Sequence, residues 1–161
     1  MVDLKVVDIF NPSGFNMILG QAHFIKTVED LHEALFQSCS TIQFGLSFCE
    51  ASGPRLIRSS GNREDLIELT KKNMMELSSG HSFMIMMDKA FPIQVLKQIQ
   101  AVPEVCTVYC ATANPVQVII AETPKGRGIL GVIDGESPLG FENNQDVLER
   151  HQMIRKFGYK L

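Results

Sequence analysis

Residues His81 to Met87 (HSFMIMM) form an almost unbroken apolar run of strand length. A run of this kind suits a strand covered on both faces, so it calls for a sheet with layers on either side. Other strand-like runs lie at 4–10, 16–24, 42–49, 56–58, 106–112, 116–122 and 129–134. Helical patterns open at Thr27 and cover 63–77, 92–99 and 145–156. Helices alternate with strands early and strands cluster late. The pattern predicts a single α/β domain over residues 1–161, with one mixed β-sheet and helices packed on it as a layered α/β/α sandwich.

The local signals fix where these elements should begin and end. The Thr27 hydroxyl is placed to cap the first helix, with Glu29 and Asp30 favouring the positive end of its dipole. Asn62 is the expected N-cap of the second helix, and Gly80 lies just past its end. Pro92 suits the first turn of the third helix, and Gly158 closes the fourth. Gly20 inside the second strand marks a bulge or a close backbone approach.

Composition narrows the possible partners. The 161 residues include 45% hydrophobic and 20% charged side chains, ordinary globular usage, with a formal net charge of -3. No broad basic field is present, so neither nucleic acid nor an anionic membrane surface is the expected partner. No apolar run reaches spanning length and the opening Met1-Val2-Asp3-Leu4-Lys5 lacks the pattern of a secretory signal, so a cytoplasmic protein is expected. Cys39, Cys49, Cys106 and Cys110 make no CxxC and no zinc-finger spacing with histidine, so no structural zinc site is expected. They read as reduced core thiols. Cys106 and Cys110, four apart in one strand, should share a face.

Polar and Gly-rich clusters fall where strands end, the usual place for a ligand in an α/β sheet. Lys26 and Thr27 at a helix start can hold an anion or simply cap the helix. Glu50 can orient a ribose hydroxyl, bind a metal or act as a base; the alternative is an ion pair with Arg55. Ser52 and Gly53 form the small-residue turn beyond it. Gly126-Arg127-Gly128 can make a phosphate-binding backbone nest or an ordinary hairpin turn. Asn114, at another strand end, can offer hydrogen bonds to a base. The motif GxxxxGK[ST] is absent, so no Walker-type nucleotide site is supported. His23 and His81 both stand at strand ends, where an imidazole can act as acid, base or nucleophile. His32 and His151 read as surface or interface residues.

Nine segments stand in an order that resembles the adenosine-specific kinase family. They are His23-Phe24-Ile25-Lys26-Thr27-Val28-Glu29-Asp30, Phe48-Cys49-Glu50-Ala51-Ser52-Gly53, Gly80-His81-Ser82-Phe83, Phe91-Pro92-Ile93, Val102-Pro103-Glu104-Val105-Cys106, Ala111-Thr112-Ala113-Asn114-Pro115, Gly126-Arg127-Gly128-Ile129-Leu130, Ser137-Pro138-Leu139-Gly140 and Gly158-Tyr159-Lys160-Leu161. The resemblance covers nearly the whole chain. It implies a layered α/β fold, a homo-oligomer (trimer or hexamer) and a small-molecule nucleoside or nucleotide ligand, adenosine or AMP. It also implies phosphoryl transfer with a histidine carrying the phosphate. His81 is the expected carrier, with His23 as competitor and Glu50 as a second catalytic group. His23, Lys26, Thr27, Ser52, Gly53, Asn114, Gly126, Arg127 and Gly128 are the expected binding residues. ATP with Mg²⁺ is the expected donor, with Glu50 a candidate ligand of the ion. Gln21 departs from the family pattern, which leads us to expect a second histidine before Ala22-His23. The alternatives are a non-catalytic adenosine or AMP sensor and an oligomeric interaction protein.

Overall fold

The computed structural model describes residues 1–161 and contains eight strands and four helices. The apolar run forms β5 (Ser82–Asp88), the central strand of a five-stranded sheet ordered β4-β3-β5-β2-β6. Its neighbours are β2 (Asn16–Ala22) and β3 (Gln43–Cys49), with β4 (Ile57–Gly61) and β6 (Val105–Thr112) at the edges. Phe83, Ile85 and Met87 point to one face with Ile18, Phe44, Leu46 and Phe48. Helices α1 (Thr27–Ser38) and α3 (Pro92–Ala101) cover that face through Leu31, Leu35, Val95 and Ile99. Met84 and Met86 point to the other face, with Met17 and Leu19. Both faces of β5 are thus covered, as its composition requires.

The second face is closed by two different structures. Helix α2 (Glu64–Leu77) brings Leu66, Met74 and Leu77. A separate three-stranded sheet, β1-β7-β8, brings Val116, Val118 and Ile120. Its strands are β1 (Asp3–Asp8), β7 (Val116–Thr123) and β8 (Gly126–Asp134). The single α/β domain therefore holds, but the strands divide between two sheets where one mixed sheet was expected. Every strand pair runs antiparallel. β2 and β3, joined through α1, leave a gap between them that β5 fills from the opposite direction. Hydrophobic periodicity reports which faces are buried, not which strands pair, so this division was invisible in the sequence.

Helix α2 approaches the sheet unusually closely. A Cβ on Gly45 would lie 2.2 Å from the carbonyl carbon of Leu66. Beside it the buried Ser47 and Thr70 hydroxyls bond each other at 2.8 Å. The expected cap, Asn62, does something else: its side chain accepts from the Phe44 amide and donates to the Ile42 carbonyl, both at 2.8 Å. The N-cap position falls to Arg63. Thr27 likewise is no cap; its hydroxyl donates backward to the Phe24 carbonyl.

The cysteines also depart from expectation. Cys49 and Cys110 are buried, whereas Cys106 is exposed. Register shifts between β2 and β6 at Leu19/Gly20 and Gln21/Ala22 leave Tyr109 and Cys106 as extra residues on β6. Each bulge shifts the alternation locally, and of the two only Cys110 is buried against the core.

Helix α4 (Asn144–Lys156) begins at a well-formed cap. The Asn143 side chain accepts from the Gln145 and Asp146 amides, and the Asp146 carboxylate accepts in return from the Asn143 amide. The helix buries none of its residues. No helix of the structure is long and apolar enough to cross a membrane.

Candidate functional site

Four chemically capable side chains emerge from neighbouring positions at one end of the central sheet. Glu50 follows β3, His81 precedes β5, His23 follows β2, and Glu104 precedes β6. Strand order therefore sets them in the row Glu50, His81, His23, Glu104. Three backbone hydrogen bonds close the row. The His81 amide donates to the Cys49 carbonyl at 2.7 Å, the Ala22 amide to the His81 carbonyl at 2.8 Å, and the His23 amide to the Glu104 carbonyl at 3.1 Å.

His81 is the most constrained member. Its φ of 63° lies in the left-handed region, which a residue bearing a Cβ adopts at a cost. The two strand hydrogen bonds hold it there. Its ring stacks on the buried Phe48, with centroids 6.0 Å apart and an 18° interplanar angle. His23 is exposed, so neighbouring strands bring the two histidines to the same edge but fix only one of them.

Lys26 and Glu104 make the row's charged flank. The Lys26 ammonium bonds Asp30 at 2.5 Å and Glu104 at 2.6 Å. Those bonds, Asp30 first, raise its pKa well above the ordinary lysine value. The Glu104 side chain is only 5% exposed, and its Oε2 is buried without a hydrogen-bond partner. Removing Lys26 strands this buried carboxylate. Lys26→Met is expected to lower the thermal midpoint, and the double variant Lys26→Met/Glu104→Leu to recover part of the loss. A double-mutant cycle by thermal denaturation measures the coupling; additive losses would exclude it.

Glu50 is held as a carboxylate by a different arginine from the one expected. Arg58 Nε donates to Oε1 at 2.8 Å and the Leu56 amide to Oε2 at 3.2 Å, while Arg55 makes no ion pair with it. The Arg58 bond keeps the Glu50 carboxyl below the usual carboxylate range. A carboxylate so stabilised is a poor base, and each of its oxygens accepts one hydrogen bond.

Beside Glu50 opens a cavity of about 720 Å³, between the ends of β3 and α2 on one side and the β7–β8 hairpin on the other. Its wall includes Glu50, Arg55, Gly80, Lys125, Arg127 and Gly128. Gly126-Arg127-Gly128 forms the start of β8, paired to β7, which is the hairpin alternative and not a nest. The Arg127 guanidinium bonds Glu122 and donates to the Glu76 carbonyl at 2.8 Å, tying the hairpin to α2. Cys49 lines the cavity, and burial pushes its thiol up to about 11, so it is protonated at neutral pH.

The remaining expected residues separate from this group. Ser52 and Gly53 lie in the exposed turn after Glu50, where the Ser52 carbonyl accepts from the Arg55 amide. Thr27 is buried. Asn114 lies at the opposite end of the sheet, beyond the last residue of β6, and its side chain donates to Asp134. Two residues were missed. Arg58 shows no signal in the sequence, but Glu104 stands directly before a strand, the same placement that drew attention to Glu50. No group of three or more His, Cys, Asp or Glu side chains gathers as a metal site.

Comparison with known proteins extends these observations. The family model described as adenosine specific kinase matches residues 7–160. The crystal structure of the PH1918 protein from Pyrococcus horikoshii OT3 is similar over 100% of this chain and 99% of that one. The two share 41% sequence identity and superpose with a TM-score of 0.96. No curated protein matches the chain.

Proposed function

The chain belongs to the adenosine specific kinase family, and from that premise we propose that it binds adenosine or AMP at the His81 end of the central sheet and transfers a phosphoryl group through His81. The observation that carries the role of His81 is its position: a left-handed backbone clamped by two strands and a ring stacked on Phe48. Such a side chain meets a phosphoryl group with little loss of freedom.

In the first step an imidazole nitrogen attacks the terminal phosphorus of ATP; an N–P bond forms and the P–O bond to ADP breaks. In the second the adenosine 5′-hydroxyl attacks that phosphorus, the N–P bond breaks, and the hydroxyl proton passes to a phosphate oxygen or solvent. ATP enters as substrate with Mg²⁺ carried on its own phosphates, beside a Glu50 that is ion-paired to Arg58. With its carboxylate held ionised, Glu50 suits a ribose hydroxyl better than a proton. The cavity of about 720 Å³ has the size of a small-molecule site; its wall reaches Gly80, next to His81, whose own ring lies against Phe48 outside it. Arg55 and Lys125 on its wall make no ion pair with another residue and supply positive charge for phosphate. The family resemblance also supports assembly as a homo-oligomer, trimer or hexamer.

One observation favours the sensor alternative. Lys26 is engaged by Asp30 and Glu104, and Arg127 by Glu122, so two of the expected phosphate cations are already paired. Thermal denaturation across a nucleoside and nucleotide panel tests the shared part of both readings. Adenosine or AMP at about 100 times its dissociation constant should add roughly 2.7 kcal/mol, and guanosine and cytidine should add little. No stabilisation by any adenine compound would overturn the proposal. Stabilisation without turnover of adenosine and ATP would leave the sensor.

A further inference from the structure

The chain from Glu136 to Leu161 leaves the body after β8 and is left without a core of its own. No helix or strand packs substantially against α4. Leu139 and Phe141 are fully exposed, and Leu148, Met153, Phe157 and Tyr159 are each about half exposed or more. A helix of 13 residues is marginal in water without tertiary packing, and α4 buries no residue fully.

The same chain carries an uncovered apolar surface. Only one face of the β1-β7-β8 sheet reaches the core. Its outer face presents Leu4, Val6, Leu130 and Ile133, exposed by 46–70%. Strand alternation places these side chains opposite the inward Val7, Val118 and Ile120. An apolar patch and an unpacked apolar segment on one chain are complementary in chemistry.

Two further observations connect them. Asp3, Asp8 and Asp134 at the ends of the sheet's strands join no ion pair, and neither do Arg155 and Lys156 in the last turn of α4. The arm also holds its place in a relative. A TM-score of 0.96 over the entire chain leaves no room for a segment of this length to lie elsewhere in the crystal structure of the PH1918 protein. An arm unsupported by its own body keeps one pose in two proteins only if something else supports it. Its length matches the roughly 20–30 residues that one side of a stable interface contributes.

We propose that the arm is exchanged between copies: Leu139, Phe141 and the apolar side of α4 of one copy pack on the outer face of the β1-β7-β8 sheet of a second copy. This rests on the homo-oligomer reading given above and adds its contact. The pairing is arm to sheet: exchanged reciprocally it closes as a two-fold dimer, and passed head to tail it closes into a ring if the rotation between copies permits.

Sedimentation of the full-length protein and two sets of variants tests it. One set alters the sheet face, Leu4→Lys/Leu130→Lys; the other alters the arm, Phe141→Ser/Leu148→Ser. All four side chains are at least half exposed in the single chain, so the fold should persist, as circular dichroism will show. Wild type should sediment as an oligomer and each variant alone as a smaller species. Mixing the two variants should restore association, because an intact arm then meets an intact face. Monomeric wild type would overturn this proposal together with the homo-oligomer reading. An oligomer insensitive to the arm variant, or variants that fail to associate on mixing, would overturn arm exchange alone and leave the homo-oligomer standing.

Discussion

His81→Ala is expected to abolish the phosphoryl label that wild type acquires from γ-labelled ATP and to reduce adenosine phosphorylation on the order of 10³-fold or more, as loss of a nucleophile does. The label on wild type should be acid-labile and base-stable, as an N–P bond requires. A second substitution separates chemistry from folding. The backbone at residue 81 keeps its φ of 63° whatever side chain it carries, because the Cys49 carbonyl and the Ala22 amide hold it. Alanine retains the Cβ and its strain, whereas glycine does not. His81→Gly should therefore be more stable than His81→Ala by about 1 kcal/mol, while both lack the label. Undiminished labelling of His81→Ala would move the phosphoryl group to another residue, with His23 the nearest candidate in the row.

The second large effect is structural and reaches the site indirectly. Gly45→Ala should destabilise the protein by about 3 kcal/mol, at the upper end of overpacking costs, measured by urea denaturation. The new methyl group would meet the backbone of Leu66 and Ile67 at 2.2–2.3 Å. Backbone cannot rotate aside as a side chain can, so α2 must move as a unit. That helix carries Met75 to the cavity wall and the Glu76 carbonyl to Arg127. Stabilisation by adenosine should consequently weaken along with the fold. Gly131→Ala is the control: no atom lies within 4 Å of its added Cβ, and its effect should stay within about 0.5 kcal/mol. Equal stability of the two variants would show that α2 is not seated as closely as the structure has it.

Much of the element order was legible because it depends on local periodicity and turn chemistry. Each strand and helix lies close to where the sequence placed it, and the unbroken run in β5 foretold layers on both faces. The caps were less legible. Thr27 and Asn62 have the right chemistry for N-caps, yet Thr27 bonds back to the Phe24 carbonyl of the preceding turn, and Asn62 bonds backbone groups of the β3 segment that tertiary packing brings near. A cap residue chooses among several carbonyls and amides, and sequence names only the adjacent ones.

For the site the division is sharper. His81, His23 and Glu50 could be singled out as polar residues at strand ends, because a chain passes from buried strand to exposed loop at a readable place. Which strand ends meet could not be read that way. Asn114 ends a strand just as His81 begins one, but antiparallel pairing sends it to the far end of the sheet. Glu104 drew no attention as a site residue, and only the register of β6 against β2 brings it beside His23 and Lys26. The sequence by itself determined the composition of the layers, the strand-end chemistry and the family. Tertiary structure alone decided which ends share an edge, which arginine holds Glu50, and that the C-terminal arm lacks a core. The physical reason is that periodicity and turn signals act over a few residues, whereas strand pairing and packing join residues that the chain keeps tens of positions apart.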